Sequence, residues 1–230
     1  MLHQHLYLPG FAKQMIERFF KNGDLDKAKE LAQDAAKRAE SDRFSGLVKD
    51  FEEWLLKIAK QEKDIDTIRY YLKKFFFDRY HCNFDYYDRL KATYDSDSDW
   101  NKQISDFIKA LKDKETDLLK VYIKEDHWDD FLQVIQSVCQ DTQSSRSGDL
   151  AYYFHDVLSK RYPKELITLY ANSVTRSLVT AKGRSHYQDI CRTLRKMKKL
   201  GGKAEVSDII SFCREHYRNR PALQDELSRV

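Results

Sequence analysis

The feature that most constrains this chain is a recurring unit: an amphipathic helical segment, a short polar break, then a second amphipathic segment. The second segments align at Leu25, Ile65, Trp100, Trp128 and Pro163, in LDKAKELA, IDTIRYYL, WNKQISDF, WDDFLQVI and PKELITLY, at intervals of 40, 35, 28 and 35 residues. A helical hairpin cannot bury its apolar face alone. One that returns at such spacing stacks on its neighbours, so the pattern predicts a solenoid-like array.

The individual stripes agree. FAKQMIERFFKNG puts Phe11, Met15, Ile16, Phe19 and Phe20 on one face and ends at Gly23, a natural helix stop. Asp24 is an N-cap candidate for the next segment, where Leu25, Ala28, Leu31, Ala32 and Ala35 share a face whose alanines permit close helix contact. A second pair follows, with Leu47, Phe51, Trp54, Leu55 and Ile58 on its first helix and Ile65, Ile68, Tyr71, Leu72 and Phe75 on its second. No segment shows strand alternation with hairpin turns. The predicted fold is all-α, an α-α superhelix of antiparallel helical hairpins of tetratricopeptide-like type. Residues 1–230 are read as a single helical-repeat domain, and QDTQSSRSGD at 140–149 is the best candidate for an internal break. Only 7 Gly and 3 Pro in 230 residues fit helices joined by short connections.

No catalytic pattern accompanies this architecture. The sequence has no Gly-x-Ser-x-Gly, no P-loop and no dinucleotide fingerprint, and the one Gly pair, Gly201-Gly202, follows a helix and reads as its cap. Cys213 and His216 stand at i,i+3 with Cys191 on the preceding helix, but both cysteines continue apolar stripes, Cys213 that of Ile209 and Phe212, which makes them core residues. DSDSDW at 95–100 lacks the glycine and the terminal glutamate of a calcium loop and reads as a cap for the Trp100 helix. The carboxylate pairs Glu52-Glu53 and Asp129-Asp130 are of a kind common on solvated helix faces. The chain is therefore expected to be non-enzymatic, with no metal and no cofactor. The four cysteines are far apart, no signal peptide opens the chain and no stretch is long and apolar enough to span a membrane, so a cytoplasmic location is expected.

Two surfaces remain as candidates. Residues 70–94 hold ten aromatics, and Phe75, Phe76 and Phe77 cannot all fit one helical face. This predicts either an inner helix packed on two sides or a groove for a protein partner, with Tyr70, Phe76, Tyr80 and Tyr87 as contact candidates. The second surface is HYQDICRTLRKMKKL at 186–200. Its Tyr187, Ile190, Cys191, Leu194, Met197 and Leu200 form a complete apolar stripe, leaving Arg192, Arg195, Lys196 and Lys199 on other faces as phosphate-contact candidates. Residues 181–230 carry 12 Arg/Lys against 6 Asp/Glu, net +6, which leaves −2 for residues 1–180. Without a recognition motif this asymmetry supports only a secondary expectation of non-specific nucleic-acid contact. The primary expectation is a scaffold for an unidentified protein partner.

Residues 115–228 resemble the C-terminal helical region of bacterial SWIM zinc-finger proteins. The resembling segments are ETDLLKVYIKEDHWDDFLQVI, PKELITLYANSVTRSLV, SHYQDICRTLRKMKKL and SDIISFCREHYRNRPALQDEL, in that order. The resemblance implies a tetratricopeptide-like array without catalytic residues. In full-length members such an array accompanies a zinc module of Cys-x-Cys and Cys-x-His pattern. That pattern is missing here, so the resemblance assigns no zinc ligand to Cys82, Cys139, Cys191 or Cys213. It implies either a fragment of a larger protein or a member with no such module.

Overall fold

A computed structural model describes residues 9–77 and 82–230. Among them there are fourteen helices and no strand. The chain divides into two compact units, Met1–Ala110 and Leu111–Val230.

In the first unit α1 (Pro9–Lys21), α2 (Leu25–Ser41), α3 (Ser45–Glu62) and α4 (Ile65–Phe76) pack each on the next, and α1 also touches α3. Consecutive hairpins with contact between alternate helices are the tetratricopeptide-like arrangement expected from the spacing. The buried residues of α2 are all alanine (Ala28, Ala32, Ala36 and Ala39), which lets Ile16 of α1 and Phe51, Leu55 and Ile58 of α3 close over it. α5 (Phe84–Lys91) and α6 (Asp97–Ala110) complete the unit.

The turns share one closure. After α1, Gly23 takes φ +81°, Gly23 N–H donates to Phe20 O at 3.2 Å and Asp24 N–H donates to Phe19 O at 2.9 Å. This pair of bonds occupies the last free carbonyls of the helix. Arg43 after α2, with φ 61°, repeats it through Arg43 N–H to Glu40 O and Phe44 N–H to Ala39 O; Lys63 after α3, φ 58°, does the same. Only one of these three left-handed positions is glycine, so glycine placement alone does not reveal the motif. The cap expected at Asp24 does not form: its carboxylate makes no cap bond and lies 3.5 Å from Lys27 Nζ. Asp64 does cap α4, accepting from Thr67 N–H at 3.1 Å and from the Thr67 hydroxyl at 2.6 Å. These two bonds hold its carboxyl below the usual range. DSDSDW is indeed a cap, with Ser96 Oγ accepting from Asp99 N–H at 3.2 Å and donating to its carboxylate at 3.1 Å.

The second unit comprises α7 (Glu115–Lys124), α8 (Trp128–Gln140), α9 (Arg146–Tyr153), α10 (His155–Arg161), α11 (Pro163–Thr180), α12 (Arg184–Lys199), α13 (Lys203–His216) and α14 (Pro221–Leu227). α11 is its hub, packed against α8, α9, α10, α12 and α13. Leu166, Leu169, Val174 and Leu178 of α11 are buried, and buried Asn172 donates from Nδ2 to Cys139 O at 2.9 Å, tying α11 to α8.

Several expectations are corrected here. The stretch 140–149 lies within the second unit, where residues 141–145 separate α8 from α9. DLAYYFHDVLSKR is two helices rather than one: the chain bends at Phe154, whose buried ring packs edge-on to Phe131 at 5.8 Å. Ile65 and Phe212, counted on apolar stripes, are 45% and 42% exposed. Ile65 is the first residue of α4, directly after its cap Asp64.

Candidate functional site

The aromatic run resolves into a core and an edge. Phe76 and Tyr87 are 0% exposed. The ring of Phe76 lies 5.3 Å from Tyr87, 5.6 Å from Phe84 and 5.1 Å from Phe107, and Tyr87 meets Trp100 at 5.3 Å. These rings fasten α4, α5 and α6 together in offset and edge-on pairs. As partner contacts, Phe76 and Tyr87 are corrected to core residues, because the second layer they touch is the chain's own α5 and α6. Tyr80 lies outside the described residues. Among the described candidates Tyr70 is the one on the surface, 58% exposed, its ring edge-on to Tyr71 at 5.0 Å, and Tyr71 in turn stacks on Phe75 at 6.0 Å.

That Tyr70–Tyr71–Phe75 row leads to a cleft of about 520 Å³ inside the first unit. Its lining comes from the end of α2 (Glu40), the turn (Arg43), the first half of α3 (Ser45, Val48, Lys49 and Glu52), the end of α4 (Lys74 and Phe75) and Phe77. Three helix segments meet here because the Arg43 turn sets the start of α3 beside the end of α2, and the Lys63 turn folds α4 back so that its end returns to the start of α3. The lining is mixed, with Val48, Phe75 and Phe77 as its apolar part and five charged side chains around them, in a cleft whose volume falls in the range of ligand sites.

The charges are organised. Lys74 Nζ donates to Glu52 Oε1 at 2.5 Å across α3 and α4. Burial alone would lower the ammonium pKa of Lys74; the hydrogen bond and charge of Glu52, helped by Tyr70 and Glu40, outweigh it and leave it raised. The same Glu52 is only 9% exposed, which corrects the solvated-face reading of Glu52-Glu53. Glu53 is engaged as well, accepting from the Tyr86 hydroxyl at 3.0 Å, while the Tyr86 ring backs Phe75 at 5.1 Å. Burial, then Glu52 and Tyr70, push the Tyr71 hydroxyl up to about 12. No local pattern in the sequence marks Arg43, Lys49 and Lys74 as a set, since they meet only through the packing of α2, α3 and α4.

The basic helix is partly used up by its own chain. Its apolar stripe is buried as expected, from Tyr187 to Met197. Arg192, Arg195, Lys196 and Lys199 are exposed. Arg192 pairs with Asp189 at 2.9 Å and Arg195 Nη2 donates to Arg229 O at 3.4 Å. Lys198 donates to Val230 O at 2.5 Å, and Gln188 Nε2 donates to Glu226 Oε1 at 3.3 Å. One edge of the helix thus grips the C-terminal segment, and Lys196 and Lys199 are left without an ion pair or hydrogen bond among the described residues.

Among the described residues no three His, Cys, Asp or Glu side chains gather into a group able to hold a metal ion. His216, weighed with Cys213, instead stacks on Phe212 at 4.2 Å and its Nδ1 meets Phe212 O at 3.1 Å. No described helix is long and apolar enough to cross a membrane. No family model, no curated protein and no solved structure matches the chain.

Proposed function

We propose that this chain is a non-enzymatic helical-repeat scaffold that holds a segment of a partner protein in the cleft between α2, α3 and α4. The observation that carries the reading is the cleft itself: apolar walls from Val48, Phe75 and Phe77, a charged floor at Lys74 and Glu52, and exposed Tyr70 one helical turn before Lys74. An exposed aromatic beside a half-desolvated charge pair is the composition from which interface anchors are drawn. The resemblance of residues 115–228 to the helical region of SWIM zinc-finger proteins supports the scaffold reading and adds no ligand or catalytic residue to it.

The test is affinity capture from nuclease-treated lysate with the wild-type chain and with Ser45→Trp, which fills the cleft mouth. A partner lost with Ser45→Trp supports the reading. Partners retained equally by both chains refute it. The second reading, non-specific nucleic-acid contact, is favoured only by the exposure of Arg192, Lys196 and Lys199 on α12. It requires binding that weakens steeply with salt and drops in Lys196→Glu/Lys199→Glu.

A further inference from the structure

We infer that the cleft takes an acidic segment of its partner, with carboxylates between Arg43 and Lys49 and an apolar side chain against Val48 and Phe75; this rests on the scaffold reading of the cleft. The lining carries three cations, Arg43, Lys49 and Lys74, and two anions, Glu40 and Glu52. Lys74 and Glu52 satisfy each other at 2.5 Å. The carboxylates beside Lys49 in sequence are both committed elsewhere: Asp50 to Lys13 at 2.5 Å, and Glu53 to the Tyr86 hydroxyl at 3.0 Å. Arg43 and Lys49 therefore face the cleft with no carboxylate partner among the described residues, Lys49 Nζ lying 5.8 Å over the Tyr86 ring, against Glu40, whose charge also acts on Lys74. The cleft has a net positive lining and repels a basic segment as it attracts an acidic one.

Arg43 takes φ 61° in the closure after α2, as Lys63 and Asp126 do after α3 and α7 and Gly23 and Gly201 after α1 and α12, so its backbone conformation is a property of the turn and not of a ligand. At the end of α2 its cation complements the helix dipole while lining the mouth of the cleft. Arg43 is exposed and Lys49 partly buried, so a carboxylate between them is held more strongly at its Lys49 end than at an open surface.

The test titrates the full chain with dye-labelled peptides of about seven residues, Glu-rich around one Phe or Leu. Each is matched by its Gln analogue, and a single-stranded oligonucleotide serves as competitor. The acidic peptides are expected to bind at least tenfold more tightly than their Gln analogues, roughly one step on the affinity scale. Arg43→Gly and Lys49→Ala should each weaken them several-fold, Arg43→Gly without loss of thermal stability, and Arg43→Lys should restore part of the affinity. Lys196→Glu/Lys199→Glu should leave binding unchanged. If Gln analogues bind as well as acidic ones and Ser45→Trp abolishes both, the cleft is an interaction site and its acidic preference is wrong. If Ser45→Trp leaves peptide binding intact, the scaffold reading of the cleft fails as well. Absence of binding below about 1 mM, or displacement by the oligonucleotide through Arg43 and Lys49, overturns the inference.

Discussion

Arg184, at the start of α12, places Nη2 2.8 Å from Oδ2 of Asp225 on α14, and its Nη1 reaches Glu226 at 3.4 Å. Glu226 is 3% exposed and also receives Gln188, while Asp225 is held a second time by Arg229 at 3.1 Å. Together with Arg195 and Lys198 on the last carbonyls, these contacts make the basic helix a clamp on the chain's own C-terminal segment. The exposed Arg184–Asp225 pair is worth ~0.2–1 kcal/mol. Breaking the buried end costs more, because a charged group loses its partners without regaining water. Arg184→Ala should destabilise the second unit by ~1–3 kcal/mol, and Asp225→Asn by less; chemical denaturation of both variants checks the order.

The aromatic run separates by burial, and so should its substitutions. Phe76→Ala opens a cavity among Tyr87, Phe84 and Phe107 and should cost ~3–5 kcal/mol. Tyr70→Ala removes an exposed ring and should stay within ~0.5 kcal/mol of wild type, while weakening partner capture. Denaturation midpoints measured beside binding distinguish the two residues.

Gly202 is a packing glycine. A Cβ there would stand 2.9 Å from Ile167 Cγ2, and Ile167 is itself buried on α11. Gly202→Ala should therefore destabilise by ~1–3 kcal/mol through overpacking where α13 begins beside α11. At Gly23 a Cβ meets no atom within 4 Å, but φ is +81°, so Gly23→Ala should cost ~1 kcal/mol from backbone strain alone. Combining Gly202→Ala with Ile167→Val should recover part of the first loss and none of the second.

Three thiols make the chain sensitive to alkali. Burial pushes Cys139, Cys191 and Cys213 from 9.0 up to about 11, with Glu165 adding to the effect at Cys139 and Arg195 opposing it at Cys191. The unfolded chain releases these protons first, so between about pH 9 and pH 11 the folded state binds more protons than the unfolded state. Stability contributed by the three groups is complete below pH 9 and declines as pH rises through that window. The thermal midpoint should fall correspondingly, and fall less in a chain with all three cysteines replaced by Ala. Thiol reagents at pH 8 should modify Cys191 and Cys213, both 0% exposed, only as fast as the second unit opens.

Most of the helices were legible in the sequence because amphipathic periodicity is local. A stripe such as Tyr187 to Met197 declares both the helix and its buried face before any partner is known. The Ser96 cap was readable for the same reason. The closures at Arg43 and Lys63 were not, since a left-handed residue other than glycine has no compositional mark, even though the bonds that close the helix there are local.

The sequence by itself determined an all-helical chain of repeating hairpins, an alanine face on α2 and an apolar stripe under the basic helix. It also determined that ten aromatics fall between residues 70 and 94. Tertiary structure alone decided which of those rings became core: Phe76 and Tyr87 lie where α4, α5 and α6 converge, and Tyr70 on the same α4 stays 58% exposed. It also decided which charges stayed unpaired, because pairing depends on distance across helices rather than along them. Asp50 went to Lys13, Glu52 to Lys74 and Asp225 to Arg184, and Arg43 and Lys49, without a carboxylate among the described residues, line the cleft.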